Sequence, residues 1–205
     1  MSLANYTDLQ ASVASWLNRT DLSALVPDFI TLAEGRIARD LRLRNQLTAG
    51  TLSTVGGTQT VALPTGWLEF ENLSVLDGTV YRQITYVTGE NLNTRYPTGD
   101  QSKTPRIFTI EGSSLLLGPT PDAVYTLSAS YYARFAALAT TATNWLLTNH
   151  PSIYLNAALA EGCDFLKDDA GVSKYLARYT ADKDALQKSN DAGTHSGSSL
   201  RVRAT

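Results

Sequence analysis

Cysteine is nearly missing from this sequence: Cys163 is the single one among 205 residues, so an intrachain disulfide is excluded. Its neighbours in a run rich in Ala and Leu point to a small buried hydrophobe rather than a reactive thiol. Histidine is almost as scarce. His150 and His195 are the only two, and neither sits in a metal-ligand spacing such as H-x-x-x-H. His150 precedes Pro151 and fits a cap or surface position; His195 lies in a Gly/Ser-rich segment. No G-x-S-x-G, Walker A or G-x-G-x-x-G motif occurs. No catalytic residue, cofactor-binding residue, cofactor or metal ligand is therefore expected, and the chain does not read as an enzyme. An excess of positive charge is also lacking: Lys and Arg number 17 against 19 Asp and Glu, a net charge of −2. That argues against gripping DNA by bulk charge, which needs a basic surface, but not against a surface that DNA passes. No run approaches ~18 consecutive apolar residues, so no membrane span is expected. The opening MSLANYTDLQ has neither a basic n-region nor an apolar h-region, which predicts no secretory signal.

What is present is ordinary for a folded chain: 43% apolar and 18% charged residues, enough for one substantial domain or two small ones. The most informative stretch is NWLLTNHPSIYLNAALAEGCDFLKDD, from Asn144 to Asp169. Pro151 sits where a first helical turn accepts it, because its missing N–H would be unsatisfied there. Ile153, Ala157, Ala160, Phe165 and Leu166 then recur near helical spacing, and Trp145, Leu146 and Leu147 can cover the helix start. Glu161, Asp164 and Asp168, at i, i+3 and i+7, form an acidic stripe. Asp168 and Asp169 with Glu161 and Asp164 fit a solvated helix end better than a cation site.

Along the chain, Thr7-x-x-Gln10 suggests a capping box opening a helix over 7–17, with Tyr6, Leu9, Val13, Trp16 and Leu17 on its apolar face. Asp21 can cap one turn, and Pro27 can start a second helix running to about Asn45. That helix would bury Phe29, Ile30, Ala33, Ile37 and Leu41 and carry Arg36, Arg39 and Arg42 on its other side. From Thr48 the texture changes to Thr, Ser, Val and Gly. Gly56-Gly57, Asp77-Gly78 and Glu111-Gly112-Ser113 each suggest a hairpin turn. Residues 89–96 suggest a single helical turn and 97–105 a polar loop. Residues 124–135 alternate, with Tyr125, Leu127, Ala129 and Tyr131 on one face; alternating Tyr on a strand is ordinary core and rim packing. Seven short strands at regular spacing predict an antiparallel sandwich or curled sheet. A last helix is expected over 172–188, and from Ser189 the composition is that of a flexible tail.

These elements predict an α+β fold: a helical bundle formed by both chain ends, residues 1–47 and 136–189, with an inserted antiparallel β-rich, sandwich-like domain over 48–135. Residues 190–205 would be an extended C-terminal arm, in which Leu200, Arg201, Val202 and Arg203 alternate with strand period. Trp16, Phe29, Ile37, Ile153 and Phe165 are expected to share the bundle core. The Arg36, Arg39, Arg42 stripe and the Glu161, Asp164, Asp168 stripe are complementary. They form either solvated faces with ordinary ion pairs inside one bundle, or a subunit interface.

Three segments together resemble the head-to-tail adaptor (connector) proteins of tailed bacteriophages, particularly short-tailed ones. They are WLNRTDLSALVPDFITLAEGRIARDLR, LPTGWLEF and YYARFAALATTATNWLLTNHPSIYLNAALAEGCDFLKDD, in that order. The resemblance spans all but the tail. It implies a structural, non-enzymatic virion protein of the phage neck, made in the host cytoplasm. It further implies a homo-oligomeric ring, a dodecamer, bound below the portal protein and to a tail nozzle or tail tube protein. Double-stranded DNA would pass through the ring without specific binding. A different function for the same residues is a monomeric glycan- or receptor-binding tail module that uses the β-insert.

Overall fold

The computed structural model describes residues 3–97 and 102–195. The fold is mixed α+β, with seven α-helices and two four-stranded sheets among the described residues. The chain divides into two compact units, Met1–Asn45 with Phe135–Thr205, and Gln46–Arg134.

The first unit is helical: α1 (Tyr6–Leu17), α2 (Val26–Asp40), α4 (Leu138–Thr141), α5 (Trp145–Asn149), α6 (Pro151–Phe165) and α7 (Asp169–His195). Helix α6 is its centre. Every residue from Ile153 to Ala160 is buried, and α1, α2, α5 and α7 all pack on it. A helix that is apolar all round must be enclosed on every side. Leu9 and Val13 of α1, Phe29, Ile30, Ala33 and Ile37 of α2, and Tyr175, Tyr179 and Leu186 of α7 supply the enclosing faces. Pro151 occupies the first turn of α6, as expected.

Several boundaries differ from the sequence pattern for physical reasons. The cap of α1 is Asn5, whose Oδ1 accepts from Asp8 N at 2.9 Å, so the helix starts one residue ahead of the proposed Thr7 box. Helix α2 stops at Asp40, well short of Asn45. Leu41 turns extended and is fully buried, as is Leu43, and their two-residue alternation draws the backbone out of the helix and into the core. Residues 145–149 are a helical turn of their own, capped by Asn144 Oδ1 accepting from Leu147 N at 2.9 Å. Helix α7 begins at Asp169 and runs to His195, past the point at which a flexible tail was expected. Two side chains hold this extension: Asn190 Oδ1 accepts from Arg44 N at 2.9 Å, and Gln187 Nε2 donates to Arg42 O at 3.2 Å. Extending a formed helix fixes one residue per hydrogen bond, so few tertiary contacts suffice. Trp16 and Phe165 do not share the core: they are 49% and 55% exposed. Both stand in the last turn of their helices, where the enclosing bundle ends, although the Phe165 ring still lies 5.6 Å from that of Phe29.

The second unit holds α3 (Gly89–Arg95) and eight strands, one more than expected: β1 (Leu47–Ser53), β2 (Thr60–Ala62), β3 (Trp67–Asp77), β4 (Val80–Gln83), β5 (Thr85–Tyr86), β6 (Ile107–Glu111), β7 (Ser114–Gly118) and β8 (Thr126–Ala133). One sheet has the order β1-β8-β3-β4, the other β2-β7-β6-β5. All pairs are antiparallel except β5 with β6. Inward residues Leu73, Val75, Leu127, Ala129 and Tyr131 of the first sheet and Val61, Phe108, Leu115 and Leu117 of the second form one core. Two expected hairpins are present, β3–β4 around Asp77-Gly78 and β6–β7 around Gly112. Gly57 does not close a hairpin. Strands β1 and β2 belong to different sheets, and the segment between them bonds to residues 121–125 instead: Gly57 N donates to Pro121 O at 2.7 Å, and Thr54 N to Tyr125 O at 3.0 Å. A Gly-Gly pair permits the chain to bend there but does not choose which strand lies across from it.

Truncating the enclosed helix should be far more costly than truncating its exposed end. Leu159→Ala, at a fully buried site, should cost about 2–5 kcal/mol in urea denaturation. Phe165→Ala should cost less than half of that loss, and the same melts rank the two.

Candidate assembly surface

The residues singled out by charge all lie on the helical unit. Arg36 and Glu161 meet within one chain. Arg36 Nε donates to Glu161 Oε1 at 3.1 Å, and its Nη2 makes a second bond to the same oxygen. Both side chains are mostly buried, 30% and 15% exposed, so this pair ties α2 to α6. Arg42 Nη1 donates to the carbonyls of Ala38 and Leu41, both at 2.8 Å, and thereby covers the end of α2. Arg39 and Asp164 are exposed. Asp168 lies beyond the end of α6 and does not continue its stripe: its Oδ1 accepts from Gly171 N at 3.0 Å and caps α7. The Cβ that any other residue would add at Gly171 would lie 2.7 Å from Cys163 Sγ, so glycine alone fits the crossing there. The arm residues Leu200, Arg201, Val202 and Arg203 lie outside the described residues.

Around α6 runs a set of polar contacts that the apolar periodicity hides. Asn156, buried in the middle of the helix, donates from Nδ2 to Asp182 Oδ2 of α7 at 3.1 Å. Tyr154 OH accepts from Asn144 Nδ2 at 2.8 Å. Tyr179 OH donates to Asp40 Oδ2 at 2.9 Å, and Glu34 Oε1 accepts from Leu138 N at 2.8 Å. An Asn inside an Ala/Leu run is the one sequence signal that points to such a tie, because a buried amide must find a partner. Burial raises the Tyr154 hydroxyl far above the ordinary tyrosine range, and burial followed by the Asp40 bond does the same at Tyr179.

Cys163 is buried, and burial followed by the nearby Asp168 charge pushes its thiol up, which suits a small core hydrophobe. The ring of His150 lies 5.4 Å from that of Trp145 at the start of α6. Among the described residues no group of three or more His, Cys, Asp or Glu is placed to hold a metal ion. No described helix is long and apolar enough to cross a membrane.

Sequence reasoning missed the large apolar side chains of the helical unit left outside its core: Trp16, Leu32 and Phe165. Leu32 is one turn from Arg36 on α2, and Phe165 one turn from Glu161 on α6, so both flank the ion pair that joins the helices. Charged and large apolar residues side by side on packed helices are the means by which one protein surface binds another. These are features of a protein that works through its surfaces. Consistent with this, the family model described as SU10 adaptor protein matches residues 4–203, and the chain belongs to that family of phage head-to-tail adaptors. None of the curated proteins matches the chain. Membership makes it a structural component of the phage neck, in a family not known for enzymes.

Two outcomes follow from the polar contacts. Glu161→Gln should lower stability by about 1–2 kcal/mol, because a half-buried guanidinium loses its counter-charge; Asp164→Asn, at an exposed site, should stay within about 0.5 kcal/mol. Equilibrium unfolding of both variants checks this. In alkali, a hydroxyl whose folded pKa is raised contributes stability that is fully present below its unfolded value of 10.0 and is lost as pH rises above it. Wild-type stability should therefore fall more steeply above pH 10 than that of the Tyr154→Phe/Tyr179→Phe chain.

Proposed function

We propose that this adaptor assembles as a homo-oligomeric ring, a dodecamer, below the portal protein, extends the DNA channel and offers the docking surface for a tail nozzle or tail tube protein. The observation that carries the reading is the match to the adaptor family over residues 4–203. The helical unit supports it: Trp16, Leu32 and Phe165 are left exposed among the described residues, and a neighbouring protomer would cover them. Arg39 on one protomer and Asp164 on the next are exposed members of the two charged stripes, and an intersubunit pair there would set register. Arg36, Glu161, Arg42 and Asp168 would support that face from behind. The chain's net charge of −2 suits a channel that lets DNA slide, since a basic lining would hold it by its phosphates. The arm with Leu200, Arg201, Val202 and Arg203 would dock on the portal or on a neighbouring protomer.

Mixing the purified chain with its portal and imaging the product tests the reading. Rings seated on the portal are expected. A chain that stays monomeric by native mass measurement, with and without portal, would overturn it. Arg39→Glu should weaken ring assembly on the portal several-fold while leaving the melting temperature within about 2 °C, as befits an exposed site.

A further inference from the structure

The second unit carries an open sheet edge of an unusual kind. Four strands end the two sheets: β1 and β4 in one, β2 and β5 in the other. Three of these edges are protected. Strands β2 and β5 span only Thr60–Ala62 and Thr85–Tyr86, too short to template a partner. Strand β4 is short and carries Arg82, paired with Asp77 at 3.0 Å. Short length and charge are the usual devices that keep an edge from pairing with another chain. Strand β1 has neither. It runs for seven residues, LTAGTLS, with no charge and no proline.

The ladder fixes which of its backbone groups are open. Thr54 N donates to Tyr125 O, so by the two-residue alternation of an antiparallel pair Thr48, Gly50 and Leu52 turn their backbone groups toward β8. Leu47, Ala49, Thr51 and Ser53 turn N–H and C=O away from the sheet. Among the described residues, no backbone bond reaches those groups. The strand is also thin-walled. Gly50 adds no side chain on the inward side, where the Tyr131 ring lies 3.2 Å from the position a Cβ would take, and Thr48 on the same face is exposed.

The sequence offers one segment that fits such an edge. Leu200-Arg201-Val202-Arg203 alternates apolar and basic residues with the period of a strand. The described part of α7 runs to His195, and the Cβ position of Gly193 lies 2.8 Å from Arg44. Residues 196–205, if extended, span at most about 33–36 Å, more than the length that pairing with β1 needs. Apolar Leu200 and Val202 would sit over the inward side, while Arg201 and Arg203 would face outward, where the neighbouring β3 and β8 turn Glu69, Ser128 and Ser130 to the same face.

We propose that the open edge of β1 is the receiving site for the C-terminal segment 199–203 of a second copy of this chain, which adds to the sheet as a fifth strand. The inference rests on the ring reading above. Backbone bonds to Leu47, Ala49, Thr51 and Ser53 would supply affinity, and the alternating side chains register. Each protomer both gives an arm and receives one, so the contact is head-to-tail and closes only when the ring does.

The test separates this site from the ring. In full-length chain carrying both Arg201→Pro and Val202→Pro the arm itself cannot pair, since the two prolines remove the donors on both sides of the strand. Adding a synthetic peptide of residues 196–205 at millimolar concentration should shift the amide resonances of Leu47, Ala49, Thr51 and Ser53. A second substitution, Thr51→Pro, removes an outward N–H and is tolerated on an edge strand; it should abolish those shifts with the fold intact by circular dichroism. Absence of shifts in 47–53 would overturn the site, whether or not rings form. Shifts in a chain that never forms rings would sustain the site and sink the ring instead. To fix the source of the arm, Ala49→Cys and Arg201→Cys, both on the outward face, are placed on separate chains, each with Cys163→Ser, and mixed during assembly. A disulfide-linked heterodimer is expected on a non-reducing gel; rings without one would overturn exchange between copies.

Discussion

The complete burial of α6 is the constraint on which the helical unit depends. A helix with Ile153 to Ala160 enclosed on all sides cannot exist alone in water. It needs α1 and α2 from one end of the chain and α7 from the other. The small residues Ala157, Ala158 and Ala160 let those neighbours approach closely, and Gly162 admits Leu17, whose Cδ1 lies 2.7 Å from the position a Cβ would take. Packing of this kind leaves little room for adjustment, since removing even one buried methylene leaves a gap that the surroundings fill only in part. Polar ties then select the arrangement. Arg36–Glu161 and Tyr179–Asp40 join helices distant in sequence, Asn156–Asp182 joins the consecutive α6 and α7, and each would be left unsatisfied by a shift of one turn.

The β-unit is held by a different logic. Its two sheets share one apolar core, and each inward residue is fixed by the alternation along its strand. Strand β8 is the centre of the first sheet, pairing with β1 on one side and β3 on the other. The β3–β8 ladder is not regular: its register shifts between Trp67 and Glu69 and again between Phe70 and Asn72. Such bulges bend and twist a strand, and here they bring Trp67 and Phe70 to a ring separation of 5.3 Å. Phe70 also meets Phe108 of the other sheet edge-on at 6.0 Å.

Much of this fold was legible in the sequence because local chemistry and long-range packing agree there. Pro151 marks the first turn of α6; Asp77-Gly78 and Gly112 close hairpins; the alternation of Leu127, Ala129 and Tyr131 names the inward face of β8. The misreadings share one cause, which is that a local signal does not name its distant partner. Gly56-Gly57 has hairpin chemistry, yet β1 finds β8 and β2 finds β7. Helical spacing continues past Asp40, yet Leu41 and Leu43 gain more by burial in extended form. Trp16 and Phe165 fall on the apolar faces of their helices, but periodicity cannot tell where along a helix the enclosing bundle ends. Arg36, Arg39 and Arg42 look alike in sequence. In the fold one forms an ion pair across helices, one reaches carbonyls and one is left at the surface, because each position meets a different neighbour. The open edge of β1 was invisible beforehand, since an edge exists only once strand order is known.

The division of the chain into units has a consequence for biosynthesis. Residues 46–134 can complete their own core as soon as they leave the ribosome, whereas α1 and α2 emerge first and find α6 only after the whole β-unit has been made. Until then Phe29, Ile30, Ala33 and Ile37 have nothing to pack on, and loop-closure entropy opposes their reunion with a segment more than a hundred residues downstream. The helical unit is therefore the last part of each newly made molecule to mature. A chain that stops short of α6 lacks the helix around which α1 and α2 pack. Translation order thus places closure of the helical unit at the end of synthesis.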